Sequence, residues 1–357
     1  MAQKEEKMKR VLLIGTSICL LASLLISPQC ILAAEPGFSW KLNTPFIADT
    51  LWFTGVQMWA DDVSKMSGGR MKIELIGSAF GADILGAVQQ GTREAGYSSP
   101  AFLTARFPAA ALFGQTPAFL DFLGFFTWMQ AYGGKKLLQD TFGNAAKIFP
   151  VGMAWAKTGA WANKKIEALS DFRGFKYANA AELKKILTDA GATIMPLGPY
   201  EIFGSIQAGT IDGGEFSTPY QDMVSGLHKV AKYCYFPGIQ TIAQSFVLMV
   251  NNGKWDSLPP DLKEIVKGAC DTAMVRSLTQ WMVLDARAVQ VLKDAGKVTI
   301  LKYSREMQQE ILDSLIPQYD ANPDPMFQKV WKSQKEFIKV YVPYMKLQQL
   351  DAEVKLK

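Results

Sequence analysis

The sequence predicts an α/β protein made of two similar lobes that face each other across a cleft. Segments typical of strands and helices alternate in two successive blocks, which is the order of mainly parallel sheets covered by helices. The motif "QQGTREAGYSSP", which ends at Pro100, recurs as "QAGTIDGGEFSTP", which ends at Pro219. The 357 residues are 49% hydrophobic and 20% charged, a globular composition with ample material for two lobes.

Residues 1–34 have the pattern of a cleaved secretory signal peptide. Positive charges precede an apolar stretch at 11–26, and small residues offer a cleavage site near Ala33 or Ala34. An uncleaved membrane anchor is the alternative, but the apolar stretch is short for a membrane span. Lipidation at Cys30 is disfavoured because the residues just before it are not small. We therefore predict an exported protein.

The predicted mature chain gives no sign of a nucleic-acid partner. Removing 1–34 lowers Lys plus Arg from 38 to 34 and Asp plus Glu from 33 to 31, so the formal charge falls from +5 to +3. Two cysteines remain, Cys234 and Cys270. An exported chain could pair them, but a strand-like and a helix-like context favour two buried thiols.

Several kinds of catalytic site are excluded by composition and motif. The chain has one histidine, so a multi-histidine metal site cannot form, and a histidine-based triad would rest on that residue alone. It has no C-x-x-C, no P-loop and no G-x-S-x-G. We predict a protein that is not an enzyme and has no cofactor; a hydrolase that uses carboxylates is the weaker alternative.

The first block predicts strand, helix, strand, helix and strand. "SWKLNTP" is typical of a strand, and the apolar residues from Trp52 to Met66 recur at helical spacing. "RMKIELIG" alternates like a strand. A helix then runs from near Asp83 to just before Gly91, and "EAGYSS" forms a short strand.

The second block repeats this order after an apolar region. The stretch from Phe107 to Met129 is interrupted by Pro117 and Asp121, so it favours a buried loop and helix rather than a membrane span. Strands are predicted at "IFPVGMAW", "GAWANKK", "FKYANA", "ATIMPL" and "IDGGEF", with helices at 182–190 and 200–208. "KVAKYCYFPG" and "QSFVLMVNN" are strands that could cross back to the first lobe. From Pro260 onward the chain is largely helical.

The two copies of the repeated motif predict where the cleft lies. Each copy is a helix end, a glycine cap and a short strand, and ligands of open α/β sheets bind beyond such strand ends. The copies would place Tyr97 and Ser98 on one wall and Glu215 and Phe216 on the other; a chance match of short glycine motifs is the alternative. The predicted organisation is lobe 1 at 35–155 plus about 245–300, lobe 2 at 156–244, and C-terminal helices at 301–357.

Five phrases resemble the solute-binding subunit of tripartite ATP-independent periplasmic (TRAP) transporters. They are "ADDVSKMSGGRMKIEL", "LSDFRGFKY", "EIFGSIQAGTIDGGEF", "YFPG" and "KWDSLPPDLKEIVKGA", in the order of the family. The resemblance implies a periplasmic-binding-protein fold, class II-like, with long segments crossing between lobes. It also implies a small organic ligand, a periplasmic location and a TRAP-type membrane permease as partner. "GTIDGGEF" with "PYQD" and "YFPG" is similar to the branch that binds 2-keto acids and other small carboxylates, often with a metal ion.

The chain departs from that branch at several positions. Where the family has an arginine that clamps the ligand carboxylate, this chain has Ala178. Near the place of a metal-binding glutamine it has Lys157, and the aromatic and glutamate expected after the "PG" turn are replaced within 239–241. The Glu-Trp pair of the branch is Glu215 and Phe216. We therefore expect the Lys157 ammonium to pair with Glu215 in place of a metal ion; a surface lysine at a strand edge is the alternative.

The repeated motif and the family resemblance together predict a set of candidate ligand-binding residues. The set is Glu215, Phe216, Lys157, Tyr97, Ser98, Tyr177, Asn179 and Gln240, with Glu215 a metal ligand only if a metal is bound. The predicted function is capture of a small organic solute, a carboxylate by resemblance, and its delivery to the permease. A sensory receptor of the same fold is the alternative that the sequence leaves open.

The last apolar segment predicts an amphipathic helix over 327–350. Val330, Phe337, Val340, Val342 and Tyr344 form an aromatic and apolar stripe. Relatives in the keto-acid branch dimerise by exchanging such a helix, so the resemblance implies a homodimer here. The alternative is that the stripe packs on its own lobe.

Overall fold

The computed structural model describes residues 37–48, 50–79, 81–116, 119–198 and 201–348. The predicted signal peptide at 1–34, including Cys30, lies outside the described residues. Within them, none of the helices combines the length and apolarity that a membrane span requires. Cys234 and Cys270 are both buried free thiols.

The strands and helices follow the predicted alternation. The strands are β1 (Phe38–Thr44), β2 (Met71–Gly77), β3 (Ala95–Ser98), β4 (Gln115–Thr116), β5 (Lys147–Ala154), β6 (Ala160–Ala162), β7 (Lys176–Ala178), β8 (Thr193–Met195), β9 (Gly213–Gly214), β10 (Tyr233–Phe236), β11 (Ala243–Val250) and β12 (Thr299–Lys302). The α-helices are α1 (Leu51–Met66), α2 (Ile84–Gln89), α3 (Ala111–Gly114), α4 (Phe122–Ala131), α5 (Gly134–Phe142), α6 (Lys184–Asp189), α7 (Ile202–Gln207), α8 (Pro219–Val224), α9 (Asn252–Asp256), α10 (Pro260–Ala295), α11 (Arg305–Asp320) and α12 (Pro325–Gln348). Short 3₁₀ turns occupy Pro100–Leu103, Pro108–Ala110, Leu169–Phe172, Ala181–Leu183 and Leu227–Lys229.

The described residues form two six-stranded sheets, one for each lobe. The first has the order β2-β1-β3-β11-β4, with β5 also paired to β11. In it β1 is parallel to β2 and β3, whereas β11 runs antiparallel to β3, β4 and β5. Every residue of β11 is buried, which fits a strand that is paired on both edges and covered on both faces.

The second sheet has the order β12-β10-β6-β9-β7-β8. The chain enters it after β5, returns to the first sheet at β11 and comes back at β12, so several segments cross between the sheets. This is the two-lobed α/β fold with crossing segments that the sequence predicts. The lobe boundaries remain a prediction; β12, which straddles residue 300, pairs with β10 in the second sheet.

The long helix α10 links the two lobes. It packs against β5 and α1 on the side of the first sheet and against α8 on the side of the second. Trp59 is fully buried in α1 and donates from Nε1 to the Val266 carbonyl, 3.3 Å away. At the other end, the Tyr220 amide donates to Asp285 Oδ1 over 2.8 Å. One rigid element thus contacts both sides of the cleft.

The C-terminal helix predicted from the apolar stripe is present as α12. Phe337 is buried and lies 5.0 Å from the Tyr132 ring, and Trp331 lies 5.1 Å from the Phe119 ring, measured between centroids. Val340 and Tyr344 remain 60% and 57% exposed. The stripe is therefore divided between a face that packs on its own chain and an exposed face, and dimerisation stays a prediction.

The repeated motif forms the same local structure in both lobes. Gly91 and Gly209 end α2 and α7 with φ of 71° and 69°, in the left-handed region that favours glycine. The hydroxyl of Thr92 donates to the Ala87 carbonyl over 3.0 Å, and that of Thr210 donates to the Ser205 carbonyl over 3.1 Å.

The acidic residue of each copy also accepts a hydrogen bond from the same kind of donor, a backbone amide of a neighbouring strand. Glu94 Oε2 accepts from the Lys41 amide of β1, and Asp212 Oδ2 accepts from the Lys176 amide of β7, both over 2.9 Å. Each acid thereby fixes its short strand to the parallel neighbour. The motif occurs twice in the sequence because two equivalent helix-to-strand turns position the two walls of the cleft.

Gly209→Ala is expected to destabilise the protein by about 1–2 kcal/mol, because a side chain at positive φ is strained. No atom lies within 4 Å of the Cβ that would be added, so the backbone conformation alone sets this effect. Gly204→Ala is the matched control on the same helix, also with free space, and it should stabilise by about 0.4–1 kcal/mol. Equilibrium unfolding in urea measures both; equal effects would contradict the cap assignment.

Candidate ligand-binding site

Lys157 and Glu215 form a buried ion pair that joins the loop before β6 to the residue after β9. Lys157 lies between β5 and β6, and Glu215 follows β9 directly. Lys157 Nζ is 2.7 Å from Glu215 Oε1, with the two side chains only 7% and 3% exposed. The pair expected from the sequence is therefore present in the structure; its contact with a ligand remains a prediction.

Three main-chain hydrogen bonds fix the loop that carries Lys157. The Lys157 amide donates to the Thr241 carbonyl over 3.1 Å, and the next two amides donate to the carbonyls of Ser217 (3.0 Å) and Tyr235 (2.7 Å). These partners come from the segments after β10 and β9 and from β10 itself. The ammonium is thus aimed at Glu215 by a backbone anchored on both sides.

Two of the candidate residues support this loop through hydrogen bonds. Tyr177 donates its hydroxyl to the Gly159 carbonyl over 2.9 Å, and Gln240 Nε2 lies 3.3 Å from the carbonyls of Thr158 and Gly159. Both side chains are buried. Asn179 has a φ of 55° and accepts from the Leu197 amide over 3.3 Å, so its side chain stabilises a turn after β7.

Asp222 of α8 supports the Lys157 loop through three hydrogen bonds that the sequence did not predict. Its Oδ2 accepts from the Thr158 hydroxyl (2.6 Å) and from Trp161 Nε1 (2.7 Å), and its Oδ1 accepts from the Ser217 amide (2.8 Å). Burial raises the pKa of Asp222 to about 7, while these three donors and the nearby Lys157 charge act in the opposite direction.

A row of aromatic rings connects the two walls of the cleft. Tyr97, at the end of β3, lies 5.7 Å from the Phe46 ring, and Phe46 lies 5.7 Å from Trp52. Trp52 then meets Phe216 edge to face at 5.6 Å. Tyr97 and Phe216, the equivalent aromatics of the two motif copies, are therefore the two ends of one row.

Further contacts bring the lobes together beside this row. The Leu51 amide at the start of α1 donates to Gln221 Oε1 of α8 over 3.3 Å. Ser98, the remaining candidate, is buried within β3 opposite Val247 of β11. The structure thus joins Tyr97 and Phe216 through the aromatic row and groups Lys157, Glu215, Tyr177 and Gln240 at one loop. Ser98 lies in β3, and Asn179 lies in the turn after β7.

Sequence reasoning missed Phe46, Trp52, Gln221 and Asp222. Trp52 could be assigned only to the buried face of a helix, because nothing in its local pattern shows that it bridges two lobes. Asp222 stood in the phrase "PYQD" that carried the resemblance, so a signal for its importance was available. Two of its three partners, Thr158 and Trp161, come from β6 and the loop before it, which no spacing rule connects to α8.

Several buried polar atoms at the site have no hydrogen-bond partner among the described residues. They include Glu215 Oε2, Ser217 Oγ, Thr241 Oγ1 and the Tyr97 hydroxyl oxygen. Glu215 is 2% exposed, and Ser217 and Thr241 are fully buried. Buried polar groups in folded proteins are nearly always satisfied, so a cluster of unsatisfied ones is typical of a site that receives a ligand.

Two α/β lobes that enclose a polar, aromatic-lined region define a solute-binding protein. The model of the family "Bacterial extracellular solute-binding protein, family 7" (DctP) matches residues 44–324. The chain belongs to that family, which confirms the resemblance drawn from the sequence.

The chain is similar in sequence to a periplasmic binding protein and similar in fold to two solved structures. A monocarboxylate 2-oxoacid-binding periplasmic protein of Nostoc is 29% identical over 327 residues, covering 90% of each chain. A TRAP periplasmic solute-binding protein from Colwellia psychrerythraea, solved with calcium and pyruvate, has a TM-score of 0.80 at 24% identity and covers 87% of this chain and 97% of that one. A TRAP solute-binding protein from Bordetella bronchiseptica, a mixed-occupancy dimer with copurified calcium and picolinate, has a TM-score of 0.79 at 22% identity over 88% of this chain and 95% of that one.

The residues around Glu215 do not fit a calcium ion. Calcium in proteins takes about six to eight oxygen ligands, several of them from carboxylates. Here the Lys157 ammonium lies 2.7 Å from Glu215, where it would repel a cation. In the part of the chain that the structure describes, no group of three or more His, Cys, Asp or Glu side chains could hold a metal.

Asp222→Asn is expected to change how the unfolding free energy depends on pH. The ordinary pKa of 3.8 is raised to about 7 in the folded state, so at intermediate pH only the folded state keeps the proton. The stability contribution of Asp222 is full below the unfolded pKa and is lost as pH rises through the folded pKa, by up to about 4 kcal/mol.

Urea unfolding at a series of pH values between about 4 and 7 measures this slope in both proteins. The wild type should lose stability relative to Asp222→Asn as pH rises, whatever constant offset the lost hydrogen bonds produce. Parallel curves for the two proteins would show that Asp222 does not titrate in this range.

Proposed function

We propose that this protein is a periplasmic TRAP-type solute-binding protein that captures a small monocarboxylate and delivers it to a membrane permease. The observation that carries the proposal is the Lys157–Glu215 pair, which is 2.7 Å long and almost fully buried. Membership of the solute-binding family and the named ligands of its relatives support the ligand class.

Lys157 supplies the positive charge that holds the ligand carboxylate. An ammonium has three N–H donors, and the bond to Glu215 Oε1 uses one of them. The others are available for a carboxylate in a poorly solvated site, where charge-assisted bonds are strong. Since Ala178 stands where the family's arginine belongs, Lys157 acts as a point charge in place of a planar two-pronged clamp.

The ammonium also takes the place of a metal ion in this proposal. A TRAP periplasmic solute-binding protein of similar fold was solved with bound calcium and pyruvate, so a cation accompanies the solute in that protein. In this chain the lysine neutralises Glu215 directly, and no cofactor is needed for the charge balance of the pair.

The walls of the cleft provide enclosure. Phe216 and Tyr97, with Trp52 and Phe46 between them, exclude water from the ligand and supply apolar contact as the lobes close. Affinity then arises from burial and directed hydrogen bonds, without a chemical step, so the ligand leaves unchanged to the permease.

The ligand class is tested by removing any copurified ligand and screening the full chain against 2-oxo, 2-hydroxy and 2-amino monocarboxylates of increasing length. Thermal shift identifies candidates, and calorimetric titration gives their Kd. We expect at least one monocarboxylate to bind with one molecule per chain. Failure of every member of the panel would contradict the proposed function.

Lys157→Met should weaken binding of the tightest panel member by about 2–5 kcal/mol, at least ~30-fold in Kd, because a buried charge partner is lost. Lys165→Met is the matched control. Lys165 forms a 2.7 Å pair with Glu167, but the two side chains are 51% and 70% exposed, so its removal should leave Kd unchanged. Equal Kd values for wild type and Lys157→Met would show that Lys157 does not contribute to ligand binding.

A further inference from the structure

Glu215 has one oxygen that the protein does not satisfy. Oε1 pairs with Lys157, whereas Oε2 is buried and accepts no hydrogen bond from the described residues. Leaving a buried carboxylate oxygen without a donor is costly, and the cost is greater for a charged group than for a neutral one. A donor from outside the described chain is therefore needed when the cleft is closed.

The chemistry of that donor is set by the ion pair itself. A carboxylate that is paired with an ammonium is ionised and can only accept hydrogen bonds. Lys157 can only donate. The pair therefore presents donors at one end and an acceptor at the other, on two side chains whose charged ends are 2.7 Å apart.

We propose that the ligand is a small carboxylate with a hydrogen-bond donor on the neighbouring carbon, a 2-hydroxy or 2-amino acid in preference to a 2-oxo acid. This inference rests on the proposed function, and it specifies the ligand class of the same site. The ligand carboxylate accepts from Lys157, and its hydroxyl or ammonium donates to Glu215 Oε2. A 2-oxo group would instead set a carbonyl oxygen against Oε2, acceptor against acceptor.

The neighbouring hydroxyls do not provide this discrimination. Ser217 Oγ and Thr241 Oγ1 are also buried without partners among the described residues, and their backbones hold the Lys157 loop. A hydroxyl both donates and accepts, so these groups can serve either class of ligand. Selectivity at the second carbon is therefore assigned to Glu215.

Calorimetric titration of the full chain with matched trios of equal carbon skeleton tests the inference. One trio is pyruvate, L-lactate and L-alanine; a second is 4-methyl-2-oxopentanoate, 2-hydroxy-4-methylpentanoate and L-leucine. In whichever trio binds, the hydroxy or the amino member should bind at least about tenfold more tightly than the 2-oxo member, since sites built around a polar contact reject analogues that lack it. Comparison of the hydroxy member with the amino member shows whether the site prefers a hydroxyl or an ammonium as the donor to Glu215.

Glu215→Gln provides the second arm, with Glu167→Gln as an exposed control. The new amide offers a donor as well as an acceptor, so the preference for donor-bearing ligands should shrink or reverse, while Glu167→Gln keeps it. Tighter binding of the 2-oxo member by the wild type, as a bridging water would allow, overturns this inference and leaves the proposed function standing. Absence of binding by every trio and by every other monocarboxylate overturns both.

Discussion

The buried ion pair between Lys157 and Glu215 is the interaction on which the organisation of the cleft depends. Two charges at 3% and 7% side-chain exposure are expensive to desolvate, and only close contact and a fixed geometry offset that cost. The surrounding bonds supply that geometry. Thr241, Ser217 and Tyr235 hold the loop backbone through their carbonyls, and Tyr177, Gln240 and Asp222 hold it through their side chains. Most of these polar residues therefore stabilise one loop, the loop that carries Lys157.

The second copy of the helix-to-strand turn places Glu215 directly after β9, where it pairs with Lys157. Each copy ends a short helix at a left-handed glycine and ties its acid to a neighbouring parallel strand. The first copy delivers Tyr97 to one wall, and the second delivers Phe216 to the other. The extra residue of the second copy, Glu215, is the one that meets Lys157. An ion pair is thus added to a turn whose basic role is structural.

Local pattern predicted most of the fold and part of the site. Periodicity and glycine placement indicated α1, the two repeated turns and the C-terminal helix, because these depend on neighbours in sequence. The Lys157–Glu215 contact could be predicted because a missing metal ligand and an uncompensated carboxylate demanded a cation. The bridging role of Trp52 and the Leu51–Gln221 hydrogen bond could not be predicted, because they depend on how one lobe is oriented against the other. Tyr177 and Gln240 have the same limit: the sequence predicted them as candidate ligand-binding residues, but it could not predict their hydrogen-bond partners.

If an ammonium takes the place of a metal ion at Glu215, as we propose, binding of the solute does not depend on metal. The tightest-binding monocarboxylate would be titrated into protein dialysed against EDTA and into protein with added calcium, with metal content measured by mass spectrometry. We expect the same Kd in both conditions and no stoichiometric metal in the liganded protein. Loss of binding in EDTA, with recovery on adding calcium and one metal ion bound per chain, would contradict it.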